Sequence, residues 1–236
     1  MNRTTRVNRQ VKASWLVAAV MVLGSSYASA ASMTYGFYQL TNTNVENLSS
    51  QLSITVWDSA GANAQFGTSL LSSQILFTVK NNVGTASNIA EVYFDDGLLG
   101  PSVVLNSLGG FTNFSGGGAN PGNLPAGNTA TPAFVATQNF SADVNPGPPP
   151  NGVNASNDIL GIRLGLGGFA DFNAVNAAVA SGDLRFGLHV RSIGVAGGSD
   201  SYINTSVVPI PPAVWLLGTA LAGLAGRRWL RRKLSS

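Results

Sequence analysis

The sequence predicts a mainly β protein: an antiparallel sandwich or jelly roll with one short helix, followed by a C-terminal transmembrane helix. Three observations support this prediction. Short apolar runs with period-two alternation recur along the middle of the chain, and glycine and proline (28 and 11 of 236 residues) are frequent between them. An uncharged apolar segment lies near the end. Residues 31–206 therefore form one domain-sized unit between two terminal segments.

Apolar and polar side chains alternate most clearly in four segments, residues 52–57, 74–80, 90–95 and 184–191. Alternation of this kind is typical of antiparallel strands that bury one face. Leu76 interrupts the second pattern. Less regular apolar runs predict four more strands, at 102–105, 133–140, 159–166 and 201–207.

Helix and loop signals complete the domain. One helix is predicted over about 169–180, because apolar residues recur there on one side and Gly182 follows as a stop signal. Two long polar, low-complexity stretches, 112–132 and 145–157, interrupt the strands. Loops of this length are either functional or disordered, and disorder is the simpler expectation.

The composition excludes several kinds of site. The chain has no cysteine, so disulfides, thiolate chemistry and cysteine zinc sites are excluded, and its single histidine excludes a two-histidine metal site. Residues 31–206 hold four basic residues against all ten acidic ones, a net charge of −6. We therefore expect no nucleic-acid partner, although the whole chain carries a formal charge of +3.

Residues 1–30 have the three parts of a secretory signal peptide in the required order. A basic start (Arg3 to Lys12) precedes an apolar run of about 13 residues, which is shorter than the roughly 20 that span a bilayer. Ala28 and Ala30 then form an Ala-x-Ala cleavage site, which places the cut before Ala31. We expect signal peptidase to process this end and the domain to work outside the cytoplasm.

The carboxyl end has the character of a second targeting segment. Residues 207–226 carry no charge, and the apolar helix itself is predicted over 213–226, after the prolines. Five basic residues follow it and should remain in the cytoplasm: Arg227, Arg228, Arg231, Arg232 and Lys233. This orientation places the domain on the outer face of the membrane.

The motif before this helix carries a family resemblance. The residues are Val208, Pro209, Ile210, Pro211 and Pro212, followed by Ala-Val-Trp-Leu-Leu-Gly and the basic tail. Together they resemble the PEP-CTERM sorting signal of Gram-negative bacteria in its Val-Pro-x-Pro variant, with Ile210 where the name-giving motif has Glu. An ordinary C-terminal anchor is the alternative.

The resemblance implies a processing enzyme and a destination. An exosortase, a membrane cysteine transpeptidase, would cut near the motif and release or transfer the protein. The protein would be anchored transiently in the inner membrane and then reach the cell surface or the medium, with exopolysaccharide as an expected partner. Residues 92–100, 120–125 and 187–190 also resemble ectodomains found in front of this signal, which implies no particular activity.

Three carboxylates form the candidate metal site. Glu91, Asp95 and Asp96, with Gly97 permitting a turn, could supply oxygen ligands to calcium. Further ligands would have to come from loop carbonyls or from Asp58, Asp143 or Asp200. The alternatives are a plain Asp-Asp-Gly turn and a pair of carboxylates for glycoside hydrolysis.

Three other features have ordinary explanations. Residues 165–170 fit the dinucleotide pattern G-x-G-x-x-A, but a glycine turn into a short helix explains them better. His189 lies on the polar side of its strand, where a solvated histidine is expected rather than a general base. Trp57 is either a platform for a sugar ring or, as we expect, part of the core.

These observations favour a non-enzymatic protein of the cell envelope or extracellular matrix with a structural or adhesive β-domain. No catalytic site is predicted, and no cofactor other than calcium. The alternatives are a secreted carbohydrate-active enzyme that uses carboxylates and a calcium-dependent carbohydrate-binding module. The sequence leaves the ligand of the domain open.

Overall fold

The computed structural model describes residues 31–142 and 151–205, and these form two antiparallel β-sheets. The strands are β1 (Ser32–Tyr35), β2 (Phe37–Gln39), β3 (Leu52–Trp57), β4 (Gln74–Asn81), β5 (Asn88–Asp95), β6 (Ser102–Gly109), β7 (Phe114–Gly116), β8 (Gln138–Ala142), β9 (Ile159–Gly165), β10 (Arg185–Ile193) and β11 (Gly198–Asn204). Sheet A has the order β1-β3-β4-β9-β6, and sheet B has the order β2-β11-β10-β5-β8-β7.

The sheets pack face to face around aromatic side chains. The rings of Phe77 on β4 and Phe94 on β5 meet edge to face, with their centroids 5.1 Å apart. Phe186 on β10 contacts both rings, at 5.4 and 5.2 Å. Alternate residues of the four best-patterned strands line this core, as the period-two pattern predicts. The mainly β, antiparallel prediction is therefore confirmed.

The described residues contain two α-helices, of which the sequence predicts one. Helix α2 (Phe172–Ser181) begins three residues later than predicted, because Asp171 is its N-cap and accepts a hydrogen bond from Ala174 N at 2.9 Å. It ends at Gly182, whose φ of 84° is left-handed, as expected of a glycine stop. A second helix, α1 (Ser59–Phe66), was not predicted; it is only eight residues long and has little apolar periodicity.

Helix α1 covers the outer face of sheet A and explains two details of the sequence. Leu76, which interrupts the alternation of β4, is fully buried in a cluster with Ala62 of the helix and Leu70. Trp57 is half-buried in the same small cluster, edge-on to Phe66. Its Nε1 donates a hydrogen bond to Thr78 Oγ1 at 2.9 Å, so Trp57 lies outside the main core and is not a free stacking platform.

The first of the two low-complexity stretches is packed rather than disordered. Residues 112–132 contain β7 and a 3₁₀ turn at Gly127–Thr129, and Leu124 is buried. Leu124 packs with Phe134, Tyr93 and Ile203 on the outer face of sheet B. Residues 119–136 therefore form a covering loop on this face. The predicted strand 133–140 is displaced to β8 because its first residues lie in this covering loop. In the second stretch, Val153 pairs with Ile89 and is buried, and residues 145–150 lie outside the described chain.

The predicted membrane segment lies outside the described residues. Among residues 31–142 and 151–205, no helix has the length and apolar character needed to cross a membrane. The expected helix 213–226 lies beyond these residues.

Candidate functional site

The candidate site lies on the outer face of sheet B, where strand register aligns polar side chains in a row. Ser201 on β11 is opposite His189 on β10, which is opposite Glu91 on β5. The row continues through Ser141 on β8 to Ser115 on β7. These residues alternate with the core-facing ones, so all five side chains belong to the same outer face.

Glu91 is the centre of a buried ionic network. Its side chain is almost fully buried, and its residue is 5% exposed. His189 Nδ1 lies 2.6 Å from Glu91 Oε2, and Arg191 donates a hydrogen bond to Glu91 Oε1. Because a carboxylate has no hydrogen to give, Nδ1 of His189 is the donor. The two donors satisfy a charge whose burial would otherwise be costly.

The expectation of a solvated His189 is wrong. The residue is 8% exposed. Alternation does place it on the outer face, as predicted, but Glu91 engages the ring there. Sequence pattern identifies the face of a strand, whereas the partner of the ring lies 98 positions away in the sequence.

Next to this network, Tyr93 anchors the covering loop. Its hydroxyl donates a hydrogen bond to the carbonyl oxygen of Pro121 at 3.0 Å, and the residue is fully buried. Burial, followed by the charge of Glu91, raises the pKa of Tyr93 well above its usual value, although Arg191 opposes the shift. The hydroxyl therefore remains a donor to the loop throughout the physiological pH range.

A polar cleft of about 430 Å³ opens over the Glu91–Arg191 end of the row. Glu91 and Arg191 contribute to its floor. The other lining residues come from β7 and the residue before it, from β8 and from the loop between the two strands: Asn113, Phe114, Ser115, Gly118, Asn120, Ser141 and Ala142. Amide, hydroxyl and guanidinium groups thus face a common space, the lining expected for a polar, uncharged or weakly charged ligand.

The walls of the cleft are fixed by hydrogen bonds. On one side Asn106 pairs with the backbone of Phe114, accepting from its N at 2.8 Å and donating to its O at 2.9 Å. On the other side, Ser141 Oγ donates to Gly117 O at 3.0 Å, and Asn139 Oδ1 accepts from Ala119 N at 3.2 Å. The loop that forms the rim is therefore held on both sides.

The row also has the residue order Ser-His-Glu, which is familiar from hydrolases. Ser201 is 1% exposed, and its Oγ makes no hydrogen bond to any described residue. A serine nucleophile needs contact with its base and access to a substrate. In the described structure, Ser201 has neither, so the geometry does not support that chemistry here.

The three candidate calcium ligands belong to separate networks. Asp95 pairs with Arg185 and accepts from Val135 N at 3.2 Å, whereas Glu91 is held by His189 and Arg191. Asp96 Oδ1 accepts from the backbone N of Leu98 and Leu99 at 2.9 and 3.1 Å, as in an Asx turn. Burial raises the pKa of Asp96.

Among the described residues, no three His, Asp or Glu side chains come close enough to hold a metal ion. A calcium site at Glu91, Asp95 and Asp96 would require these networks to open and stays a prediction. Of the other carboxylates considered, Asp58 caps α1, and Asp200 is held by the 39–44 segment. Asp143 lies outside the described chain.

The glycine turn at residues 165–170 is confirmed as a structural feature. Gly165 ends β9, and Gly167 adopts a left-handed φ of 59° before α2. Strand β9 is antiparallel to both of its neighbours, so the parallel unit that presents a dinucleotide-binding turn does not form at this position.

The remaining predicted functional residues lie outside the described chain. These are the cleavage residues Ala28 and Ala30, the motif Val208–Pro212 and the basic tail 227–233.

Sequence reasoning missed the Glu91–His189–Arg191 network. The available signal was weak: His189 and Arg191 share one strand face, and Glu91 is the one acidic residue on the polar side of the strand segment 88–94.

Comparisons of the chain with protein-family models, with curated proteins and with solved structures found no match.

Proposed function

We propose that the described β-domain is a non-enzymatic, adhesive module that binds a saccharide in the cleft on the outer face of sheet B. The domain would belong to an exported protein that a sorting enzyme delivers to the cell envelope or extracellular matrix. The single observation that carries the binding proposal is the cleft itself, a fixed, polar concavity lined by amides, hydroxyls and one ion pair.

The chemistry of the lining favours sugar hydroxyls. Ser115 supplies a hydroxyl group that can both donate and accept, and Asn120 supplies an amide that does the same. Ser141, whose hydrogen is donated to Gly117 O, can accept. The charge of Arg191 is balanced by Glu91, so the floor is polar without a strong net charge. A neutral or weakly acidic polysaccharide fits this surface better than a phosphorylated ligand or nucleic acid.

The carboxylates that the sequence offers for glycoside hydrolysis support binding over catalysis. Glu91 and Asp95 each form an ion pair with an arginine, and Asp96 accepts hydrogen bonds from the backbone of its own turn. Glycoside hydrolysis needs two carboxyl groups that reach one glycosidic bond, whereas these carboxylates are engaged in separate contacts within the protein.

A blocking substitution tests the cleft directly. Ser115 is exposed on the rim, so Ser115→Trp should fill the entrance without disturbing the core. Ser72 is an equally exposed turn residue beside sheet A, and Ser72→Trp is the matched control. We expect Ser115→Trp to weaken binding to immobilised exopolysaccharide from the producing cells at least tenfold, and Ser72→Trp to leave it unchanged. Equal binding by both variants would refute the cleft as the binding site.

Export and sorting need a separate experiment. Intact and peptide mass spectra of the native protein from membrane and medium fractions would identify both ends. A form that starts at Ala31 and ends near 208–212 would support processing by signal peptidase and exosortase. A form that keeps residues 215–236 in the membrane would indicate an ordinary anchor, and the sorting proposal would then fail.

A further inference from the structure

The backbone nitrogen of Ala31 is bound by a carboxylate. Ala31 N donates a hydrogen bond to Asp58 Oδ1 at 3.1 Å, and Asp58 N donates in return to Ala31 O at 3.0 Å. The two residues are opposite each other just beyond the β1–β3 ladder, in which Ser32 pairs with Trp57. Asp58 is also the N-cap of α1, and its Oδ1 accepts from Gly61 N at 2.6 Å.

Gly61 makes room for this contact. A Cβ atom at position 61 would lie 2.9 Å from Asp58 Oδ1, 3.0 Å from Ala31 O and 3.4 Å from Ala31 N. Glycine is otherwise unfavourable within a helix. Its presence in the first turn of α1 therefore allows Ala31 and Asp58 to approach each other closely.

The sequence gives this nitrogen a second chemical state. Cleavage by signal peptidase adds water across the Ala30–Ala31 peptide bond, so Ala30 leaves as a carboxylate and Ala31 retains the nitrogen as an amine. At neutral pH this amine takes up a proton and becomes an ammonium group. A neutral amide donor facing Asp58 is thus replaced by a cation with three donors.

We propose that Asp58 is a binding site for the new α-amino group of Ala31, so that signal-peptide cleavage adds an ion pair that fastens β1 to the sandwich. This inference rests on the export part of the proposed function. It assigns Asp58 a role beyond capping α1, and it links full stability of the domain to removal of the signal peptide.

The surroundings favour the new pair. Within residues 31–142 and 151–205, no charged side chain forms a salt bridge with Asp58, and its Oδ1 has backbone donors alone. Ala31 and Asp58 are both half-buried, so the pair is less screened than one on the open surface. Strand β1 is at the edge of sheet A and pairs with β3 alone, so an added contact at its first residue limits fraying.

The ion pair predicts a specific pH dependence. An ordinary α-amino group has a pKa of about 7.7–8.0, and pairing with Asp58 should raise it in the folded state. Stability from a raised pKa is fully present below the unfolded value and is lost as the pH rises through the folded value. The contribution should therefore disappear between about pH 8 and pH 10.

The experiment uses the exported protein, purified after its own processing, and begins with the mass of its first residue. The amines are then reductively methylated with ¹³C, and the α-amine is titrated by NMR in wild type, Asp58→Asn and Asp171→Asn. Asparagine is a good N-cap, so both variants should fold. Asp171→Asn is the matched control because it alters the N-cap of α2, away from Ala31.

We expect Asp58→Asn to lower the pKa of the α-amine by about half a unit or more, and Asp171→Asn to leave it unchanged. The melting temperature of wild type should fall by about 1–3 °C more than that of Asp58→Asn between pH 7 and pH 10. A chain that keeps residues 1–30 would overturn the export proposal and this inference with it, and a cut at another position would overturn this inference alone. A first residue of Ala31 with the same α-amine titration in all three proteins would overturn this inference alone.

Discussion

His189 donates its Nδ1 hydrogen to Glu91 across the β10–β5 pair, over 2.6 Å, in a part of the sheet that is almost closed to solvent. The other oxygen of Glu91 accepts from Arg191. One carboxylate thus organises the floor of the cleft, and its two hydrogen bonds hold the buried His189 and the partly exposed Arg191.

Replacement of this carboxylate should destabilise the domain strongly. Glu91→Gln keeps the shape of the side chain, but its NH₂ group must face one of the two donors. Removal of one partner from a buried ionic network costs about 3 kcal/mol in the free energy of unfolding. Urea unfolding measures this loss, with Asp183→Asn as an exposed acidic control that forms no salt bridge in the described chain. If Glu91→Gln loses no more unfolding free energy than Asp183→Asn, the network does not stabilise the domain.

A second carboxylate, Asp200, should govern acid stability. Burial disfavours its charged form, but hydrogen bonds from Thr43, Asn44 and Thr41 outweigh this effect and lower its pKa to about 2. A depressed pKa contributes stability above the unfolded value of about 3.9, and the contribution is lost as the pH falls through the folded value.

The melting temperature of wild type should therefore fall from pH 5 to pH 2 more steeply than that of Asp200→Asn. The variant should be the less stable of the two at pH 7, because its NH₂ group would face N–H donors from the 39–44 segment. Parallel pH profiles for the two proteins would show that Asp200 does not hold this segment.

Gly187 should be required for the docking of the covering loop. A Cβ at this position would lie 3.0 Å from Leu124 Cδ2 and 3.1 Å from Phe134 Cζ. Gly187→Ala should therefore displace the loop, cost about 1–2 kcal/mol in unfolding free energy and increase cleavage by proteases within 119–136. Gly122→Ala is the control in the same loop, because its Cβ would meet nothing within 4 Å. If both variants resist proteolysis within 119–136 equally well, the loop is not packed against Gly187.

Calcium should have little effect on the stability of the domain. The carboxylates of Glu91 and Asp95 are paired with arginines, so a calcium ion would have to displace existing partners. We expect no change in melting temperature when millimolar calcium is added. A rise that EGTA reverses would instead show binding to the folded state and would support the calcium-dependent alternative.

The core-facing strands were the most predictable part of the fold. Phe186 and Leu188 alternate with polar neighbours because one face of β10 packs on the core, and this pattern is visible in a short window. The alternation pattern does not explain Leu76 or Gly187. Both lie on outer faces that another segment covers, so their identities depend on contacts with residues distant in sequence.

The cleft could not be predicted for the same reason. Its floor combines Glu91 and Arg191 from strands 100 residues apart, and its rim belongs to a loop whose composition is typical of disorder. A single apolar residue in a polar stretch is a weak sequence signal for packing. Leu124 is such a residue, and the structure buries it.

The most direct test of saccharide binding is an amide NMR titration of the ¹⁵N-labelled domain with oligosaccharides prepared from the exopolysaccharide of the producing cells. Binding in the cleft predicts saturable shifts at Ser115, Gly118, Asn120, Ser141 and Arg191, with residues of α1 unaffected. Shifts confined to α1 or spread evenly over the surface, or no shifts at millimolar oligosaccharide, would contradict it.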